Sequence, residues 1–539
     1  MFKILQKKKM TCLLIVSFFI IFYLLSHLYR LTALPVFADE SIYIRWAQLI
    51  MEDWQRYLVF AMNDGKTPLF IWFLVPFQFL FNDQLFAGRF VSVLVGLIQV
   101  FVLAKIVKAL KGKLVAQYTA IILGCILPFW YFHHRMALMD SLLTLFLSLT
   151  FFYLIKVNQQ KNFNKYLLKF KILSQTQLAK LYNSQAILAG LFFGLSLLTK
   201  LPAVLFIPTF YLTPFLNQKK NFKAYLISMS QNSMAIFLGL AIFLLLKLHP
   251  AFGQLFNRGN DFLYPLSEII TGAWQDSLKN LPKYLSFFFS YLSIPVVVLP
   301  IWAAVKSKEK IKHFFLLLIA LSFFLPILIL GKVVYARYFM PAIISITCSA
   351  TLAFEELYQR FRKEKLEISK KILKLTLILL VGLTVLQSFK FIYYSIFNIN
   401  KIPFVKEDKT QYLYEWSAGF GVKKAVTYIQ EQAKNKKVLV ATEGYFGTLP
   451  DAILMYLHRR DVSNLRIEGI GQPVRELRED FLKQTPNYDQ VILVVNSHRL
   501  DLRIEEKFKI REDCRPDNSS CQEIWDITEF SKTQLKLLE

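Results

Sequence analysis

Apolar runs long enough to cross a bilayer recur along the first three quarters of the chain, separated by short polar loops. A membrane helix needs ~20 mostly apolar residues. Runs of this kind lie near 12–29, 85–107, 114–133, 138–156, 185–200, 202–217, 225–247, 285–305, 313–331, 338–357 and 372–397, which makes about eleven predicted spans. The first follows Lys7-Lys8-Lys9 and resembles a signal peptide in charge and position. Its length and the lack of a small-residue cleavage site favour an uncleaved anchor. The apolar stretch 68–81 is short and follows a polar loop, so it reads as interfacial or re-entrant.

The pattern changes after residue 397. Lys437 to Thr442 and Gln490 to Asn496 read as buried strands, and Pro450 to His458 and Glu476 to Lys483 read as helices. Alternating strands and helices predict a small α/β domain with some parallel pairing. The chain therefore divides into a transmembrane domain over 1–397, with an outer loop at 30–84, and a soluble α/β domain over 398–539.

Composition agrees with this division. The chain has 539 residues, of which 55% are hydrophobic. Its mean hydropathy is +0.41, too apolar for an ordinary soluble domain. The net charge of +27 invites comparison with nucleic-acid binders. From Lys401 onward, however, basic and acidic residues balance at 22 each, so the excess lies among the spans. There the lysines flank membrane segments, and the positive-inside effect accounts for them without nucleic acid. With the N terminus inside, Lys105 to Lys113, Lys156 to Lys180, Lys219 to Lys223, Lys306 to Lys312 and Arg360 to Lys374 all fall on the cytoplasmic side. The opposite loops carry mixed charge, and an odd number of spans puts the tail outside. Cys12, Cys125 and Cys348 fall in apolar spans and read as packing residues. Cys514 and Cys521 sit in the polar tail, where an oxidising compartment would let them pair.

The candidate chemistry lies at the outer ends of the spans. Asp39 and Glu40, with Tyr43 close behind, follow the first span; Lys66 follows in the same loop. Arg135 and Asp140 sit at the turn between the third and fourth spans, Lys200 at the outer end of the fifth, and Arg337 and Tyr338 at the start of the tenth. Ionisable residues at such depths are costly unless paired or hydrated. Each has an ordinary reading as well: a snorkelling anchor for the lysines and arginines, a helix N-terminal charge for the acids. Five separate segments reaching one leaflet carry more weight than any one of them. Carboxylates suit the deprotonation of a hydroxyl nucleophile. Lysine and arginine suit a phosphate whose negative charge grows as it leaves. Apolar helices suit a long lipid tail.

In order, Asp39-Glu40, Gly65-Lys66-Thr67-Pro68-Leu69-Phe70-Ile71-Trp72, Arg135-Met136-Ala137-Leu138-Met139-Asp140, Leu198-Thr199-Lys200 and Ala336-Arg337-Tyr338 resemble the GT-C-fold glycosyltransferases of the protein O-mannosyltransferase and aminoarabinose transferase type. The resemblance covers roughly 30–345, and its one departure is Leu201 where relatives often have glycine after Thr-Lys. It implies inverting transfer of a monosaccharide from a polyprenyl-phosphate donor to a glycan, lipid or protein acceptor outside the cytoplasm of a bacterial or archaeal cell. Asp39 and Glu40 would be the catalytic carboxylates, and the two together could hold a divalent metal, which some relatives involve. Tyr43, Lys66, Arg135, Asp140, Lys200, Arg337 and Tyr338 would bind substrate. The chain lacks the Trp-Trp-Asp motif of oligosaccharyltransferases, which argues against en bloc glycan transfer. The rival reading is a transporter or flippase of a lipid-linked sugar. It wants charge along the bilayer path, whereas the charge here gathers at one face.

Overall fold

A computed structural model describes residues 2–159, 184–216 and 222–538. Helices dominate as far as Phe397. Among the described residues, six are long and apolar enough to cross a membrane: Gln84–Ala109, Met139–Gln159, Ala224–Leu248, Lys310–Leu330, Ala336–Lys363 and Glu367–Phe397. A seventh candidate is the pair Leu281–Leu292 and Ile294–Lys306, bent by 107°. Its break falls at Ser293, whose φ of 71° lies in the left-handed region. The protein is an integral membrane protein of largely helical build.

Every segment expected to span lands on an apolar helix, but length separates them. Among the described residues, the other four of the eleven lie on Phe2–Leu28, a helix of 27 residues, and on the shorter Leu114–Ile126, Ser184–Thr199 and Leu201–Leu216, of which Ser184–Thr199 begins where the described residues resume. Proline explains two of these. It lacks an N–H and clashes with the preceding turn. The helix Leu114–Ile126 stops before Pro128, which opens a separate short helix, Pro128–His133. Pro202, Pro208 and Pro214 divide 201–216 into a 3-10 turn, a short α-helix and another 3-10 turn. Stretch 68–81 forms the helix Leu69–Leu80, which buries Leu69, Phe70, Ile71 and Leu74. Close helix contact depends on small residues, as lipid provides no hydrophobic drive between helices. A Cβ on Gly190 would stand 2.7 Å from the carbonyl oxygen of Ala235 on the neighbouring helix. Glu367–Phe397 packs loosely and turns Ile372, Leu375, Leu379, Leu386 and Phe389 outward, as a lipid-facing helix does.

The tail carries a five-stranded sheet in the order β2-β1-β3-β5-β4, with β1 Val438–Glu443, β2 Leu465–Gly471, β3 Gln490–Asn496, β4 Lys509–Cys514 and β5 Cys521–Asp526. β2, β1 and β3 run parallel, and β5 and β4 close the sheet antiparallel. The expected strands are β1 and β3, both buried throughout. The helix expected at 450–458 is present as Thr448–Leu457. The one expected at 476–483 shrinks to the single turn Glu479–Leu482. Helices Val422–Ala433 and Thr528–Leu538 flank the sheet, and Cys514 and Cys521 face each other across the β4–β5 hairpin as a disulfide.

The tail is stitched to the loop that follows the first helix. Ala38 N–H donates to Ser417 O at 2.9 Å, and Gly419 N–H donates to Val36 O at 2.8 Å. Glycine is required there, because a Cβ at 419 would lie 2.7 Å from Val36 O. Gln48 Nε2 reaches Met455 O at 3.1 Å, and Trp46 stacks on Phe446 at 5.9 Å. Helix Ala38–Glu52 is thus held between membrane helices and tail.

Candidate active site

Asp39 and Glu40 form the first turn of helix Ala38–Glu52, where carboxylates suit the positive helix end. Successive helix residues point about 100° apart, and the two acids part company. Glu40 is fully buried. Its oxygens accept from Arg89 Nε at 2.8 Å, Arg89 Nη2 at 2.7 Å, Phe37 N–H at 3.0 Å and Ala137 N–H at 2.7 Å. Arg89, equally buried, also donates to the carbonyls of Leu31, Leu34 and Pro35. This ion pair satisfies its charges completely and leaves Glu40 no free face. An ion shared by Asp39 and Glu40 does not fit this donor set, since Glu40 would first have to abandon Arg89 and two amides.

Asp39 turns the other way and keeps 32% of its side chain exposed. Its Oδ2 accepts from Arg337 Nη2 at 3.0 Å. The Nε of Arg337 lies 3.9 Å from Asp140 Oδ2, and Lys200 Nζ donates to Asp140 Oδ1 at 2.7 Å. A chain of alternating charge therefore runs Asp39, Arg337, Asp140, Lys200. Lys200 also sits 4.5 Å above the ring of Tyr338, which Arg337 approaches at 5.5 Å, both within cation–π range. Tyr43 lies buried beside Asp39, its ring edge-on to Phe70. Burial pushes its phenol well above the ordinary value, and the charge of Asp39 pushes in the same direction.

A cavity of about 300 Å³ opens next to this chain. Lys66, Lys200, Arg258 and Tyr338 line it together with apolar side chains including Leu205, Phe262, Ile327 and Leu330. Arg258 is held by Asp64 and by Asp261 at 3.0 Å. Lys66 has no ion-pair partner among the described residues, and its Nζ lies 5.3 Å above the Phe262 ring. Burial lowers its pKa first, and Lys200 and Arg258 lower it further against the opposing pull of Asp39 and Asp64. A space that concentrates three cations against an apolar wall suits an amphiphilic anion.

Asp39, Tyr43, Lys66, Asp140, Lys200, Arg337 and Tyr338 thus come together, from five segments far apart in the chain. Arg135 does not join them. It is buried and donates to the carbonyls of Ser26, Tyr29 and Arg30 and to the hydroxyl of Tyr131. It closes the C-terminal end of the first helix, where carbonyls lack intrahelical partners. Sequence reasoning missed Arg258, which shares its loop with several other charges. It also missed Gln411 and Tyr412 of the tail, whose oxygens accept from Arg337 Nη1 at 2.9 and 3.1 Å. The only available signal for Arg258 is that its loop lies on the same predicted face as the others.

Residues 65–182 match the family model described as dolichyl-phosphate-mannose-protein mannosyltransferase. The whole chain is similar in fold to ArnT from Cupriavidus metallidurans bound to undecaprenyl phosphate, with 14% identity and a TM-score of 0.56 over 96% of this chain and 97% of that one. It is similar also to the archaeal oligosaccharyltransferase AglB from Archaeoglobus fulgidus, in complex with an inhibitory peptide and a dolichol-phosphate, with 10% identity and a TM-score of 0.53 over 90% and 70% of the two chains. No curated protein matches the sequence. The chain shares the GT-C fold of these two glycosyltransferases, and in this chain the helical membrane domain is followed by a small α/β domain.

Proposed function

We propose that the protein is a glycosyltransferase that moves a monosaccharide from a polyprenyl-phosphate carrier to an acceptor hydroxyl at the extracytoplasmic face. One observation carries this reading: the part-open carboxylate of Asp39 is linked through Arg337 and Asp140 to Lys200, which lines a cavity that pairs three cations with an apolar wall. The cavity takes the donor's phosphate against Lys66, Lys200 and Arg258 and its first isoprene units against Leu205, Phe262, Ile327 and Leu330. Asp39 accepts the acceptor's hydroxyl proton, and the freed oxygen attacks the anomeric carbon from the side opposite the phosphate. The anomeric C–O bond to phosphate breaks as the new one forms, so the configuration inverts. Polyprenyl phosphate leaves with an added negative charge, which the three cations stabilise. Arg337 fixes the spacing of Asp39 and Asp140 rather than binding phosphate, and Asp140 aims Lys200. Glu40 and Arg135 are framework residues in this reading, not participants.

The acceptor is a glycan, lipid or protein, reached through the exposed side of Asp39. The test is Asp39→Asn, purified beside the unmutated protein and given a polyprenyl-phosphate sugar that the latter uses. Transfer falls about 10²- to 10⁴-fold, the usual range for a lost general base, while the unfolding midpoint stays within a few degrees. Unchanged turnover by the variant would remove Asp39 from the mechanism.

A further inference from the structure

The tail does more than cover the outer loop. Arg337 has one edge of its guanidinium on the reacting side, where Nη2 meets Asp39 and Nε faces Asp140. Its remaining nitrogen, Nη1, is held by the tail, bonding Gln411 Oε1 and the Tyr412 hydroxyl. An amide can present either its oxygen or its NH₂ to a neighbour. Here Gln411 Nε2 donates to Asp408 Oδ1 at 2.7 Å, which leaves only the oxygen to face Arg337. Asp408 is fixed in turn: its Oδ2 accepts from the Tyr291 hydroxyl at 2.7 Å, and that hydroxyl accepts from Val405 N–H at 3.1 Å. Asp408, Gln411, Tyr412 and Tyr291 are all buried. The direction of every hydrogen bond is thus set from Val405 to Asp39, and the bent helix pair supplies one link through Tyr291.

We propose that Asp408, Gln411 and Tyr412 form a positioning clamp that sets the orientation of Arg337, and through it the geometry of Asp39 and Asp140. The proposal rests on the reading of Asp39 as the reacting carboxylate. Asp140 already accepts from Lys200 and lies just beyond bonding distance of Arg337 Nε. Without the Gln411 oxygen, Arg337 is free to settle onto Asp140 Oδ2, drawing the guanidinium off Asp39 while Lys200 keeps its bond to Asp140 Oδ1. Misplacement of a reacting group by ~1 Å costs about 10²-fold in rate, so a neutral residue of the tail carries weight in a reaction on the membrane helices.

The experiment uses the full chain in detergent, with a polyprenyl-phosphate sugar that the unmutated protein turns over. Gln411→Met keeps size and removes both hydrogen bonds. It is expected to lower kcat about 10- to 100-fold with the donor KM within about two-fold, since it touches no donor group. Arg337→Gln is expected to mask it, so that the double variant is no slower than Arg337→Gln alone. Wild-type kcat in Gln411→Met, or losses that multiply in the double variant, would overturn the clamp. If the unmutated protein transfers sugar from no donor, the functional reading fails by itself. The clamp is then judged by hydrogen exchange at amides 335–340. Faster exchange in Gln411→Met supports it and unchanged exchange overturns it.

Discussion

Lys66 shows how a single side chain is tuned by its place. Burial and two neighbouring cations lower its pKa, and a phosphate in the cavity would reverse that pressure. Because its proton affinity is lowered, Lys66 loses charge at a lower pH than an exposed lysine does. Donor binding therefore weakens as the pH rises through that lowered value. Lys66→Arg keeps the charge on a group that stays protonated. The expected outcome is an alkaline limb of kcat/KM for the donor that moves to higher pH in Lys66→Arg, measured as initial rates across pH 7 to about 10. Identical limbs would mean that Lys66 does not meet the phosphate. Much of this centre was legible from residue type. Lys66, Asp140, Lys200 and Arg337 stand out because charge at the end of an apolar span needs a reason. The division of labour between Asp39 and Glu40 was not legible. Adjacent acids on a helix look alike in sequence, and only the packing of Arg89 decides which one is consumed as a counter-ion.

At the scale of elements, the Glu40–Arg89 pair joins helix Ala38–Glu52, helix Gln84–Ala109, the backbone of 31–37 and the turn at Ala137. Removing one partner of a buried pair strands the other and costs ~3–5 kcal/mol. Glu40→Gln is therefore expected to lower the thermal unfolding midpoint in detergent, with the folded fraction keeping a near-normal kcat. A normal midpoint with transfer abolished would return Glu40 to the chemistry. The elements themselves were readable wherever periodicity was strong. The apolar segments and the two central strands follow directly from their runs of apolar residues. The number of long spans did not follow, because Pro128, Pro202, Pro208 and Pro214 cut apolar stretches that hydropathy treats as continuous. β2, β4 and β5 were missed: β5 is six residues of mixed polarity, and β2 and β4 are the edges of the sheet. Leu465-Arg466-Ile467-Glu468 and Lys509-Ile510-Arg511-Glu512-Asp513 carry the charges that protect an edge, and those charges hide the strand.

For the whole molecule, the tail, the loop after the first helix and the membrane helices share one network. Val36, Ala38 and Gln48 bond to the tail, and Arg337 bonds to Gln411 and Tyr412. The sequence separates these parts into two domains because composition changes near residue 397. The long-range contacts are made by neutral side chains and backbone groups that leave no pattern. In the proposed reaction this assembly transfers sugar from a polyprenyl phosphate with inversion. The most direct measurement supplies the purified protein with polyprenyl-phosphate sugars of defined anomeric configuration and a membrane extract. Labelled product is then recovered and its new linkage assigned by NMR. The expected result is label on an acceptor, polyprenyl phosphate released, and the opposite anomeric configuration. Retained configuration, or lipid-linked sugar crossing a liposome bilayer without transfer, would contradict the account.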